Sequence, residues 1–96
     1  MDKMQGMAGH PPTPPAQEQL EYRYHARERM AERGITDEAV RAVLANYDTH
    51  RPARASRGAT KPSEIFIGEY HGRRLKVYVE RESNPRAIKT AVWEGD

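Results

Sequence analysis

The first helical pattern of the chain lies between residues 18 and 33, where neither glycine nor proline interrupts the sequence. Apolar side chains recur there every four residues, at Tyr22, Ala26 and Met30, so one stripe of a helix is available for burial. Gly34 follows, and glycine readily takes the left-handed conformation that ends helices. The pattern therefore predicts a helix over residues 18–33.

A second helix is predicted directly after the first. Thr36 is a good N-cap, and the two acidic residues that follow it place negative charge where the helix dipole favours it. The apolar residues behind this cap have helical spacing: Val40, Val43, Leu44 and Tyr47. Residues 46–49 end the pattern. Residues 49–63 contain two prolines and a glycine, so they are predicted to form a loop or an irregular edge segment.

Three later segments have the apolar and polar alternation of β-strands: residues 64–70, 73–80 and 86–93. His71 and Gly72 join the first two, and a two-residue connection of this kind is typical of a β-hairpin. Helices come first along the chain and strands follow. The predicted fold class is therefore α+β, with two N-terminal helices packed on one face of a three-stranded antiparallel meander.

The same alternation assigns the two faces of the predicted sheet. The residues expected to face the helices are Leu75, Val77, Val79, Ile88, Thr90 and Val92. The opposite face then carries Lys76, Tyr78, Lys89 and Trp93. Basic and aromatic side chains together suit backbone phosphates and stacked bases. The plain solvated face of a small antiparallel sheet is an equally good interpretation.

Composition limits the chain to one small domain. Its 96 residues are 36% hydrophobic and 31% charged, which is too little apolar material for a large core. Residues 1–17 hold four of the seven prolines and are predicted to form a disordered arm ahead of a single domain over 18–96. The absence of cysteine excludes disulfides and thiolate zinc sites. No membrane span or secretory signal is readable, so a cytoplasmic location is expected, with neither a metal nor another cofactor.

The formal net charge is only +2, but positive charge is concentrated between residues 49 and 63, where no acidic residue occurs. The cations of this stretch are Arg51, Arg54, Arg57 and Lys61. The guanidinium fork suits phosphate, so this stretch is a candidate RNA-binding segment. The other candidate RNA-binding residues are Arg33, Lys76, Tyr78 and Lys89.

One flank of the first predicted helix carries residues suited to RNA cleavage. His25, Arg29 and Arg33 are four residues apart and share that flank. A neutral imidazole can take a proton from a ribose 2′-hydroxyl, and a guanidinium can stabilise the charge that develops on the phosphate. These groups are the minimum for cleavage without a metal. An ordinary surface histidine with charged neighbours is the competing interpretation.

The run YHARERMAERGIT, which begins at Tyr24, resembles the opening of a bacterial domain-of-unknown-function family with a His-Ala-x-x-Arg-Met-x-x-Arg-Gly-Ile pattern. That family is similar to the RelE-like and barnase/EndoU/colicin-type (BECR) ribonuclease toxins, small α+β domains that cut RNA without a metal. The resemblance implies His25 as general acid or base and Arg29 as stabiliser of the transition state. It also implies that Thr90 orients the phosphate or the histidine.

The function expected from these observations is that of a metal-independent endoribonuclease, a toxin-like domain in which the 2′-hydroxyl attacks the phosphodiester. RNA is the expected substrate, and an antitoxin or immunity protein is the partner that the resemblance implies. Two alternatives remain open: a nucleic-acid-binding module without catalysis, and a protein-interaction module. Phe66 and Trp93 are the residues that could anchor a modest protein interface.

Overall fold

The computed structural model describes residues 18–53 and 62–95. Its elements are β1 (Leu20–Tyr22), α1 (Tyr24–Arg33), α2 (Asp37–Asn46), β2 (Thr49–Pro52), β3 (Ser63–Tyr70), β4 (Arg73–Glu80) and β5 (Arg86–Trp93). The strands form one sheet in the order β1-β5-β4-β3-β2. The β1–β5 pair is parallel and the other pairs are antiparallel, so the sheet is mixed.

The α+β class is correct, but the prediction of a three-stranded antiparallel meander is wrong, because the sheet has an additional strand at each edge. Residues 20–22 were expected in the first helix and instead pair with residues 86–88. Residues 49–52 were expected in a loop and instead pair with residues 64–67. Pro52 is compatible with β2 because an edge strand leaves half of its N–H groups outside the ladder.

The ends of the helices follow the sequence signals. Gly34 adopts a left-handed conformation with φ of 69°, and the Ile35 N–H donates to the Met30 carbonyl at 2.8 Å. The hydroxyl oxygen of Thr36 accepts a hydrogen bond from the Ala39 N–H at 3.1 Å, which confirms the predicted N-cap of α2. Neither helix of the described chain has the length and apolar character needed to cross a membrane.

The hydrophobic core lies between the two helices and one face of the sheet, which we call the helix face. α1 packs against β5, and α2 packs against β3 and β4. Leu75, Val77 and Val79 are at most 1% exposed, as their alternation predicts. The helices contribute the following buried residues: Ala26, Met30, Ala39, Val40, Val43 and Leu44. The opposite side of the sheet is called the outer face below.

A β-bulge in β5 changes the direction of its later side chains. Val79 lies opposite Ile88, and the preceding residue Tyr78 lies opposite Thr90, so Lys89 has no partner in β4. Residues that lie directly opposite in adjacent strands share a face of the sheet. Thr90 therefore lies on the outer face with Tyr78, and the prediction that it faces the helices is wrong.

The shift continues to the end of the strand. Ala91 and Trp93 lie on the helix face and are 0% and 6% exposed, whereas Val92 is on the outer face opposite Lys76. The indole N–H of Trp93 donates to the Arg33 carbonyl at 2.8 Å, which ties the end of α1 to β5. Both Trp93 and Phe66, at 7% exposed, belong to the core, so neither is available as a protein-interaction anchor.

Candidate nucleic-acid interface and catalytic residues

The histidine of the helical motif lies on the open surface of α1. The His25 side chain is 78% exposed, and its Nδ1 is 3.5 Å from a carboxylate oxygen of Glu28. Arg29 has a similar partner one turn away, because its Nη1 is 3.5 Å from Glu32. Exposed pairs of this kind contribute little free energy and restrain the side chains weakly. The geometry thus leaves His25 and Arg29 free to move.

Two other predicted site residues meet at the edge of β5. Arg33 Nη1 donates to the Ala91 carbonyl at 2.8 Å and lies 3.4 Å from the Thr90 hydroxyl oxygen. This contact forms because β1 pairs only with residues 86–88 and leaves the edge of β5 accessible beyond them. The guanidinium of Arg33 is thereby fixed beside the outer face.

The three predicted catalytic residues are not in direct contact. In the part of the chain that the structure describes, no hydrogen bond or ion pair joins His25 to Arg29 or to Thr90. His25 is eight residues before Arg33, which corresponds to roughly 12 Å along a helix axis. Because Thr90 contacts Arg33, it lies near the opposite end of α1 from His25. Their joint action on one substrate stays a prediction.

The outer face brings several predicted RNA-binding residues into two rows that cross four strands, and we call these rows the outer strip. One row consists of Arg51, Ile65, Tyr78 and Thr90, and the other of Thr49, Ile67, Lys76 and Val92. Arg51 is exposed, and Lys76 and Tyr78 are half-buried. Within residues 18–53 and 62–95, the side chains of these three form no hydrogen bond or ion pair.

The floor of the outer strip is apolar. Ile65 and Ile67 are only 4% and 5% exposed, although both lie on the face away from the helices and outside the main core cluster. Lys76 and Tyr78 lie directly opposite them in β4. A lysine or tyrosine side chain can cover apolar surface with its stem or ring and still present its polar end to water. The strip therefore combines an apolar base with accessible polar groups.

One end of the outer face is electrically neutralised. Arg74 forms two hydrogen bonds with Asp48, at 2.8 and 2.9 Å, and a third with Glu94 at 3.1 Å. The hydrogen bonds from Arg74 and Thr49 lower the pKa of Asp48 from its usual 3.8 to about 2. Glu69 lies directly opposite Arg74 on the same face, so this end holds one cation and three anions and is a poor binding surface for phosphate.

The remaining predicted RNA-binding residues have different positions. Lys89, in the bulge, donates to the Ser63 hydroxyl oxygen at 2.8 Å, which draws its charge toward the end of the sheet opposite Arg74. Arg54, Arg57 and Lys61 lie outside the described residues.

A cluster of four side chains that the sequence analysis does not predict lies at the β2 edge of the sheet. We call it the His50 cluster, and it consists of Tyr47, His50, Glu64 and Phe66. His50 Nε2 is 2.7 Å from the Glu64 carboxylate, and the imidazole stacks on Phe66 with ring centroids 4.4 Å apart and planes 9° apart. The Tyr47 ring meets His50 and Phe66 edge-on, at 5.8 and 4.9 Å. His50 and Phe66 meet because they are paired across two adjacent strands. The pattern of residues 49–63 predicts a loop, so the sequence alone does not predict this pairing.

The chain matches the model of a known protein family. Residues 22–93 match the model of a family described as "Domain of unknown function (DUF4258)", so the chain belongs to that family. No curated protein and no solved structure matches it. The family description assigns no activity.

Proposed function

We propose that this member of the DUF4258 family binds single-stranded RNA across the outer face of its sheet. The observation that carries the proposal is the outer strip, in which Arg51, Lys76 and Tyr78 share one surface and form no side-chain hydrogen bond or ion pair with any described residue. Cations along a groove neutralise phosphates, and an aromatic ring beside them stacks a base. Single strands are favoured because only unpaired bases can lie on such a ring.

The arrangement of charge gives the bound strand a direction across the strands of the sheet. Arg51 lies at the β2 edge, and Arg33 reaches Thr90 at the β5 edge, so cations mark both ends of one row. Four adjacent strands span roughly 14 Å at their ordinary spacing. The carboxylates that neutralise Arg74 disfavour an RNA path that runs parallel to the strands toward that end of the sheet. The favoured path of RNA therefore runs from Arg33 to Arg51.

Binding to a short fluorescent single-stranded RNA tests this proposal. We expect Tyr78→Ala to weaken binding by roughly tenfold, because a stacked base contributes about 1–3 kcal/mol, whereas Tyr78→Phe keeps the ring and the affinity. Lys76→Ala should reduce the slope of log affinity against log salt by about one phosphate contact. Arg81→Ala, in the exposed turn after β4, is the matched loss of one cation away from the strip. Equal losses for Lys76→Ala and Arg81→Ala would refute a site on the outer face.

Cleavage of the bound RNA is the second candidate function. It is favoured by the contact of Arg33 with Thr90, which joins the family-like motif of α1 to the last strand. A toxin-like ribonuclease of this kind would leave 2′,3′-cyclic phosphate ends and need no divalent ion. Cleavage that persists in folded His25→Ala and Arg29→Ala variants would remove the mechanism predicted from the helical motif. Cleavage that is lost in these variants would also support the proposed relation to RelE-like toxins and the proposed antitoxin partner.

A further inference from the structure

We infer that His50, held by Glu64, is the general base of an RNA-cleaving site at the β2 edge of the sheet. This inference rests on the proposed RNA binding and adds the residue that would react. The favoured RNA path ends at Arg51 on the outer face. His50 precedes Arg51 in β2 and points to the helix face. β2 is the edge strand of the described sheet, so no other strand covers its outer edge. A strand that leaves the outer strip over this edge passes His50.

The hydrogen bond to Glu64 determines which nitrogen of His50 is available. Nε2 lies 2.7 Å from the carboxylate, so in the neutral ring Nε2 carries the proton and its N–H donates a hydrogen bond to Glu64. Nδ1 then keeps its lone pair, and no group of the described chain bonds to it. The His50 side chain is 41% exposed and that of Glu64 is 25% exposed. The base is reachable while its carboxylate partner is partly shielded from water.

Aromatic contacts fix the orientation of the imidazole. The Phe66 ring stacks on one face of the His50 imidazole, and the Tyr47 ring contacts the imidazole edge-on. Tyr47 is itself 43% exposed, so it offers a second surface on which a base could stack next to the histidine. The Arg86 guanidinium lies 5.5 Å from the centre of the Phe66 ring and is paired with the Glu18 carboxylate at 3.2 Å. A general base and a stacking surface therefore lie within one cluster.

The reaction that this cluster suits is an internal transesterification. The ribose 2′-oxygen forms a bond to phosphorus while its proton passes to His50 Nδ1, and the bond from phosphorus to the 5′-oxygen breaks. The departing 5′-oxygen takes a proton from solvent water, and the imidazolium then returns its own proton to solvent. The products are a 2′,3′-cyclic phosphate and a 5′-hydroxyl. Glu64 acts as a positioning residue that holds the ring and stabilises the imidazolium.

The test is cleavage of a fluorophore- and quencher-labelled single-stranded RNA by the full chain in the presence of a chelator. We expect His50→Ala to lower kcat by at least about 100-fold, because general base catalysis contributes roughly that much or more. RNA affinity should change by less than about twofold. Glu64→Gln should lower kcat less than His50→Ala and leave KM unchanged, as expected of a positioning residue. His71→Ala, at the exposed hairpin tip, is the matched histidine control and should keep wild-type activity.

Wild-type cleavage rates in folded His50→Ala overturn the inference, and so does a loss of cleavage in His25→Ala that His50→Ala does not share. If His50→Ala fails to fold, His50→Gln preserves side-chain volume and a donor to Glu64, and it must also lose cleavage. A wild-type chain that binds RNA without cutting it overturns the catalytic role of His50 and leaves the proposed binding intact. A chain that does neither ends both proposals.

Discussion

The two faces of the sheet are made from alternate residues of the same strands but differ in what holds them. On the helix face, Leu75 and Val77 are completely buried between sheet and helices. Their direct neighbours in sequence, Lys76 and Tyr78, point to the outer face and form no hydrogen bond or ion pair within the described residues. The positions that stabilise the fold thus alternate along one strand with the positions of the proposed binding surface.

The comparison is not simply one of apolar against polar. Ile65 and Ile67 are nearly buried on the outer face, so this face also has an apolar base. The two faces differ in what covers their apolar residues. The helices α1 and α2 cover the helix face, whereas long polar side chains such as Lys76 lie beside the isoleucines of the outer face. A surface of this construction can exchange water for a stacked base without disturbing the main core.

Adjacent substitutions in β4 test this difference most severely. We expect Leu75→Ala to lower the free energy of unfolding by about 2–5 kcal/mol, because it removes a fully buried side chain and leaves a cavity. Lys76→Ala should change it by less than about 0.5 kcal/mol. Urea denaturation followed by circular dichroism measures both. Comparable losses would mean that the outer face contributes to folding as much as the helix face does.

The close approach of α2 to the helix face provides a smaller test. A Cβ atom on Gly68 would lie 3.2 Å from the Tyr47 Cα and 3.4 Å from the Asn46 carbonyl oxygen. These are backbone atoms at the end of α2, which cannot move aside as a side chain could. We expect Gly68→Ala to reduce stability by about 1–3 kcal/mol through overpacking.

The matched control for this substitution is Glu69→Ala, at the next and exposed position of β3. It should leave the urea midpoint nearly unchanged, because its side chain points to the outer face. A Gly68→Ala chain as stable as the wild type would show that α2 can shift away from β3 at little cost.

Local signals were sufficient to predict much of this fold from the sequence. The Thr36 cap and the apolar spacing behind it predict α2, and the bounds of β4 and β5 agree with their alternation. Gly34 ends α1 as expected. These features depend on neighbours in sequence, so pattern and propensity contain the necessary information.

The errors come from pairing between distant segments. Residues 20–22 have no feature that forbids a helix, and only the edge of β5 makes them a strand. The bulge at Lys89 reverses the later side chains of β5, and strict alternation cannot reveal it. The same limitation hid the His50 cluster, because Glu64 and Phe66 meet this histidine only through the β2–β3 ladder. The sequence motif of α1 points to His25. It does not point to His50, although Glu64 and Phe66 hold the His50 ring in place.

The smallest expected effect concerns the neutralised end of the outer face. The pKa of Asp48 is about 2 when the chain is folded, below its usual 3.8, because Arg74 and Thr49 donate hydrogen bonds to the carboxylate. A depressed folded-state pKa stabilises the fold above the unfolded-state value, and this contribution disappears as the pH falls from about 4 to about 2. We therefore expect Asp48→Asn to lower the urea midpoint slightly at about pH 7, with the difference from wild type vanishing near pH 2. Because the pair is exposed, added salt should reduce the difference at neutral pH. A difference that grows on acidification would show that Arg74 is not bound to an ionised Asp48.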